Sequence, residues 1–159
     1  MDEKYVNCVM AAVKYVFKTM LDVDVEHGIP FIKDNRKSLG DITGVMALSG
    51  AEGEQKGMLA FSTSRQGILA IYKKLMHQEF QEVTAEIIDG TGELTNIISG
   101  RSRYELEKEG VHLYAHVPII FSGSNAEVNF ITKISVTSIP FFFVIDGEKS
   151  QMNVDFMFG

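Results

Sequence analysis

Apolar positions recur with two different periods along this chain. Near the start, Val6, Val9, Val13, Val16 or Phe17, and Met20 return at helical spacing, interrupted by Lys4, Asn7, Lys14 and Lys18. That pattern predicts an amphipathic helix laid on a core. The period then shortens. Residues 23–33, 42–48, 57–63, 111–121 and 126–137 are β-prone runs bounded by Gly, Asp, Asn and Ser, and predict strands. Ser62 or Ser64 is placed to cap a helix running through Gln66 to Met76. At the end, FFFVI (141–145) and MNVDFMF (152–158) flank Asp146–Gln151, which predicts a hairpin with that segment as its loop. No linker, low-complexity tract or internal repeat interrupts the pattern. The expectation is one α+β domain spanning residues 1–159, with long helices packed on a largely antiparallel sheet.

One stretch resists quick assignment. EIIDGTGELTNIISGRS, Glu86 to Ser102, mixes turn vocabulary (Asp89-Gly90, Thr91-Gly92) with helix-forming residues. Steps of three and four from Glu82 collect Glu86, Asp89, Glu93, Asn96, Gly100, Arg103 and Glu107, none of them apolar. The opposite side carries Val83, Ile87, Leu94, Ile97 or Ile98, and Tyr104. A hairpin breaking at Asp89-Gly90 would have no reason to keep that register, so the stretch predicts a helix from Glu82 to Glu107.

The glycines of that helix carry information, because each costs about 1 kcal/mol relative to alanine in a helix interior. Gly90 falls near the apolar side, where close packing on a neighbour accounts for it. Gly92 and Gly100 fall on or beside the polar stripe, where a missing side chain would let another protein's backbone approach. The acids are unusual as well. Glu82, Glu86, Asp89 and Glu93 are like charges at three- and four-residue spacing, each pair unfavourable by a few tenths of a kcal/mol. The positive helix N-terminus compensates Glu82 and Glu86. Glu93 lies too far along for that help, and a cation from a partner would explain it.

Composition narrows the function classes. Fifteen Lys and Arg against 21 Asp and Glu give a net charge of −6 with no basic cluster, which argues against nucleic acid as a partner. The N-terminal helix opens with acid and is broken by polar residues, so it reads neither as a signal peptide nor as a membrane span. The lone Cys8 sits among Val6, Val9 and Val13, which predicts a buried structural thiol in a reducing cytoplasm. His112 and His116 lie in VHLYAHV, whose strict alternation predicts a strand. Two imidazoles four residues apart on a strand are about 13 Å apart, too far to share an ion, so no metal site is expected.

DGTGELTNIISG resembles the signature of the CheC/CheX/FliY family of chemotaxis phosphatases: Asp or Ser, three residues, Glu, two residues, Asn, and a proline a little over twenty residues on. The matching positions are Asp89, Glu93, Asn96 and Pro118, the proline about one residue early. The flanking QEFQEVTAEII, GVHLYAHVPIIFSG and SIPFFFVIDGEKSQMNVDF are similar to the family's helix lead-in, proline-containing strand and terminal hairpin. CheC proteins carry two copies of the motif, whereas the first helix here has no Glu-x-x-Asn. FliY proteins carry a further domain for which this chain has no room. The resemblance is therefore closest to CheX.

The resemblance implies a substrate: the phospho-aspartate of a CheY-type response-regulator receiver domain, which supplies its own Mg²⁺ and a lysine, so that this chain binds no cofactor. Residues i and i+3 on a helix share a face. An amide is no general base but holds a water by donating and accepting hydrogen bonds. The implied roles are Asn96 aligning the attacking water and Glu93 pairing with the receiver's lysine, with Asp89, Gly92, Gly100 and Arg103 in the contact surface. A silent receiver-binding adaptor and a structural component of a chemosensory or flagellar assembly are the alternatives. The resemblance also implies a homodimer. Three consecutive phenylalanines, Phe141 to Phe143, make both faces of one strand apolar, and suggest an interface over residues 121–143 with Glu93 and Asn96 facing away.

Overall fold

The computed structural model describes residues 1–53, 55–124, 127–128 and 134–159. Helix α1 (Glu3–Leu21) starts at an Asp2 cap and is followed by the two-residue strands β1 (Glu26–His27) and β2 (Phe31–Ile32). Strands β3 (Ile42–Ser49) and β4 (Lys56–Thr63) precede helices α2 (Arg65–Met76) and α3 (Ala85–Lys108). Strands β5 (Tyr114–Ala115), β6 (Ile119–Ser122), β7 (Thr137–Ile145) and β8 (Glu148–Phe158) complete the chain. The sheet has eight strands in the order β1-β7-β8-β4-β3-β5, with β2 also on β7 and β6 also on β3, and every pairing is antiparallel. This is the expected α+β architecture with helices on an antiparallel sheet.

Several boundaries differ from the sequence pattern, for local reasons. The Ser64 hydroxyl accepts from Gly67 N at 2.9 Å and starts α2. The Thr84 hydroxyl accepts from Ile87 N at 3.3 Å and starts α3, so Glu82 and Val83 lie before the helix and not in it. The run at 23–33 is broken at Gly28-Ile29-Pro30 into β1 and β2, and the run at 111–121 is broken at His116-Val117-Pro118 into β5 and β6. Proline cannot donate to a ladder, which suits both breaks at the sheet's edges. Of the predicted strand at 126–137, residues 126 and 129–133 fall outside the described residues; Glu127 bridges Lys37, and only Thr137 belongs to a strand. The terminal hairpin turns on Asp146-Gly147 alone, with φ of 52° and 79°, and Glu148–Gln151 belong to β8. Two consecutive left-handed residues match the right-handed twist of the flanking strands, which a six-residue loop would not require.

The three helices cover one face of the sheet. Val9, Phe17, Leu59, Phe61, Ile68, Ile98, Phe141 and Phe143 are fully buried between them. Helix α3 comes unusually close to β3 because Gly44 has no side chain: a Cβ there would lie 1.9 Å from Thr95 Oγ1. The other face carries a smaller apolar cluster (Val45, Met58, Ala60, Val136 and Met157, with Phe121, Val128 and Ile134 packed on it). Beside it lie the buried polar residues Thr43, Ser62, Ser138 and Asn153, and the ion pair of Lys33 Nζ with Asp155 Oδ2 at 2.8 Å. The three phenylalanines divide between the two faces of β7. Phe141 and Phe143 enter the helix-covered core, and Phe142 is half-buried beneath the Lys149 ammonium, 4.9 Å from its ring centre.

Cys8 is buried, and burial, followed by the charges of Glu109 and Glu105, pushes its thiol above the ordinary value. Among the described residues no helix is long and apolar enough to cross a membrane.

Candidate functional site

Helix α3 is built to hold one face still and show the other. Ile87, Thr91, Gly92, Leu94, Thr95, Ile98, Ser99, Ser102 and Leu106 are buried against the sheet and the other helices. The buried threonine hydroxyls find partners inside the helix: Thr91 Oγ1 donates to the Ile87 carbonyl at 2.8 Å and Thr95 Oγ1 to the Thr91 carbonyl at 2.7 Å. Arg101 fastens α3 to α1, its guanidinium 3.7 Å from the Tyr15 ring centre and 4.4 Å from that of Tyr104, while pairing with Glu105 at 3.1 Å. Tyr104 is half exposed in that stack, not in the core as its register suggested.

The opposite face carries the predicted stripe. Glu86, Asp89, Glu93 and Asn96 are all exposed, with Gly100 and Arg103 half-buried beyond them. Glu93 and Asn96, one turn apart, have Cβ atoms about 5–6 Å from one another. Their side chains meet solvent while the backbone beneath them is clamped. None of Glu86, Asp89 and Glu93 makes an ion pair among the described residues, and of the three only Glu86 lies in the first turn of α3, where the helix N-terminus favours an acid.

The glycines divide differently from expectation. Gly92 is buried, and a Cβ there would lie 3.3 Å from Ile120 and 3.8 Å from Pro118. Its small size serves the contact with β6 and with the proline of the signature, not an approaching partner. Gly100 does open outward, with only Arg103 Nη2 within 4 Å of an added Cβ, at 3.7 Å. Gly90 packs on a neighbour as predicted, and closely: a Cβ would fall 1.7 Å from the hydroxyl oxygen of Tyr72 on α2. Tyr72 was not visible as a site neighbour in the sequence, because nothing in its own spacing links α2 to Gly90.

The histidines are separated. His112 precedes β5 and lies 3.9 Å from Glu107, whereas His116 follows β5 with Nε2 2.9 Å from Ser49 Oγ. Only Tyr114-Ala115 of the alternating run is strand. No cluster of three or more metal-ligating side chains occurs among the described residues.

Comparison with known proteins agrees with this fold. Residues 42–142 match the family described as chemotaxis phosphatase CheX. No curated protein sequence matches the chain. Among solved structures, a chemotaxis protein CheX from Desulfovibrio desulfuricans superposes with a TM-score of 0.84 at 24% identity, over 98% of this chain and 99% of that one. The CheX–CheY–BeF3–Mg²⁺ complex from Borrelia burgdorferi gives 0.76 at 20% identity, over 97% of each chain. FliY from Thermotoga maritima gives 0.68 at 17%, over 95% of this chain and 85% of that one. With its fold, its Asp89/Glu93/Asn96 stripe and the family match over most of its length, the chain belongs to the CheX family of chemotaxis phosphatases.

Proposed function

We propose that this protein accelerates hydrolysis of the phospho-aspartate on a CheY-type receiver domain. The observation that carries the reading is the pairing of Glu93 and Asn96, both exposed and one turn apart on a helix whose other side is anchored by buried residues from Ile87 to Leu106. Phosphoryl transfer needs positioning and charge stabilisation more than covalent help, so a rigid presenter of one amide and one carboxylate is a sufficient catalyst. Asn96 holds a water in line with the acyl-phosphate bond. Water oxygen bonds to phosphorus as that bond breaks, releasing inorganic phosphate and the free aspartate. Glu93 pairs with the receiver's lysine, which supplies the cation missing from the acidic stripe. Asp89, Gly100 and Arg103 border the contact. Mg²⁺ arrives with the receiver and neutralises the phosphoryl oxygens.

In this reading the protein works in the cytoplasm and as a homodimer. Exposed Ile29, Phe31 and Ile32 at one sheet edge, and Val117 and Ile119 at the other, offer apolar surface for a second copy better than the phenylalanine strand does. Light scattering at micromolar concentration checks this against the 17.7 kDa of one chain. An adaptor or a structural component would bind a receiver or its assembly without hastening phosphate loss. The deciding experiment is phosphate release from a phosphorylated receiver with Mg²⁺, with wild type and Asn96→Ala. Wild type should accelerate release, and Asn96→Ala should lose most of that acceleration while receiver binding stays near normal. Full activity in the variant would refute the water-positioning role.

A further inference from the structure

Tyr72 is almost wholly buried on α2, its ring edge-on to Phe80 at 6.4 Å between ring centres. Its phenol end nonetheless occupies the space a side chain at position 90 would fill: an added Cβ on Gly90 would meet the hydroxyl oxygen at 1.7 Å and Cζ at 2.3 Å. A hydroxyl from one helix therefore stands in the side-chain position of another. On α3, Glu86 lies four residues before that position and Glu93 three after it. Cβ atoms at such spacing are about 5–6 Å apart, and helical side chains lean toward the N-terminus, so the Glu93 carboxylate leans over the Gly90 turn. Tyr72 and Glu93 also line one small cavity of about 40 Å³, otherwise walled by apolar residues such as Leu75, Leu94 and Ile97. The Tyr72 hydroxyl makes no hydrogen bond to the described residues, so its donor is uncommitted. Burial, and then the charges of Glu93 and Glu86, push the phenol up to about 12, so it keeps its proton throughout the physiological range.

We infer that Tyr72 is a positioning residue for the docking carboxylate. Its hydroxyl, reaching the surface of α3 through the notch at Gly90, donates a hydrogen bond to Glu93 as a receiver covers the site. That bond fixes the rotamer in which Glu93 meets the receiver's lysine. The inference rests on the docking role proposed above and extends it to a residue outside the family signature. It also gives Gly90 a purpose beyond close packing, since any side chain there would close the passage.

The test is Tyr72→Phe, which keeps the ring and removes only the oxygen. The half-saturating concentration of phosphorylated receiver should rise roughly tenfold, the scale of one hydrogen bond to a charged group, while the saturated rate and the melting temperature hold. In a Glu93→Gln background the same change should do less than twofold. Equal effects in both backgrounds, or none in wild type, overturn the inference. Calorimetric affinity of the same four proteins for a beryllofluoride-loaded receiver repeats the cycle without turnover. If wild type binds but does not accelerate phosphate release, the phosphatase reading fails, and Tyr72 is still decided by those affinities; absence of binding overturns both. A third readout needs no receiver. The phenolate absorbance titration that disappears in Tyr72→Phe should move to lower pH in Glu93→Gln and stay in place in Asn96→Ala. An unmoved titration in Glu93→Gln means the two groups are too far apart and overturns the inference.

Discussion

Gly90→Ala and Gly100→Ala put the same methyl group into the same helix and should have opposite effects. Alanine gains about 1 kcal/mol over glycine in a helix interior, through the smaller entropy of the unfolded chain. At Gly100 nothing opposes the gain, since the nearest atom to the new Cβ is Arg103 Nη2 at 3.7 Å, ordinary contact. That variant should be about 0.5–1 kcal/mol more stable. At Gly90 the new Cβ falls 1.7 Å from the Tyr72 hydroxyl oxygen, 2.3 Å from Cζ and 2.8 Å from Cε1. The phenol must retreat by roughly as much again to reach ordinary contact, and a planar ring packed edge-on to Phe80 retreats only as a whole. Overpacking of a buried site costs about 1–3 kcal/mol, and a rigid aromatic belongs at the upper end. The net should be a loss of about 2 kcal/mol, or about 4–8 °C in melting temperature for a chain of this size. Urea unfolding followed by circular dichroism measures both variants. In a Tyr72→Ala background, where the obstructing ring is gone, Gly90→Ala should become stabilising. A neutral or stabilising Gly90→Ala in the wild-type background would refute the notch, and the inference built on it.

Three further outcomes follow from particular contacts. Glu93→Gln should raise the half-saturating receiver concentration more than it lowers the saturated rate, as steady-state titration would show, because a docking carboxylate needs its charge and a general base would show the reverse. Lys33→Met should cost about 3–5 kcal/mol in chemical unfolding, since it strands the buried Asp155 carboxylate, whose Oδ1 has no hydrogen-bond partner among the described residues; replacing Asp155 by leucine as well should recover most of the loss. Stability should fall as pH rises above 10 toward about 12, because the unfolded chain gives up the tyrosine proton first while the folded Tyr72 keeps it. Tyr72→Phe should flatten that part of a pH-dependent unfolding curve.

What was legible in the sequence was whatever a single element decides. The register of α3 was readable because its exposed and buried faces are separated by the helical period alone, and Glu86, Asp89, Glu93 and Asn96 all lie where the period put them. Its first residue was not, because Thr84 caps through a hydroxyl that any nearby Ser, Thr or Asp could have supplied. The hairpin was overextended for a related reason. Glu148 to Gln151 are polar enough to look like loop, yet Glu148, Lys149 and Gln151 are simply exposed positions of β8. What could not be read was anything set by two elements at once. Gly92 and Gly100 look alike from α3; only β6, arriving with Pro118 and Ile120, buries one and leaves the other open. The three phenylalanines posed the same problem. One face goes to the helices; on the other, Phe142 is half-buried beneath Lys149 and Val144 is exposed, which the strand's own composition could not apportion.

That division of labour also bears on why the stripe is informative. The like-charge pairs among Glu86, Asp89 and Glu93 cost the helix no more than about 1 kcal/mol together. Burial of Ile87, Leu94, Ile98 and Leu106 contributes about 1.5–3 kcal/mol each, several times that penalty. Helix α3 is thus held by its core side and by the close approaches at Gly44–Thr95 and Gly92–Ile120, and its exposed side is released from any duty to stabilise. A face under no such duty can keep charges that repel one another and a glycine that weakens the helix, provided something outside the chain makes use of them. The same independence makes the experiments separable: Asn96→Ala and Glu93→Gln should leave unfolding unchanged while altering turnover or docking, whereas Gly90→Ala should alter unfolding first. A loss of stability in Asn96→Ala comparable to that in Gly90→Ala would mean the exposed side does hold the helix, and the stripe would lose its claim to function.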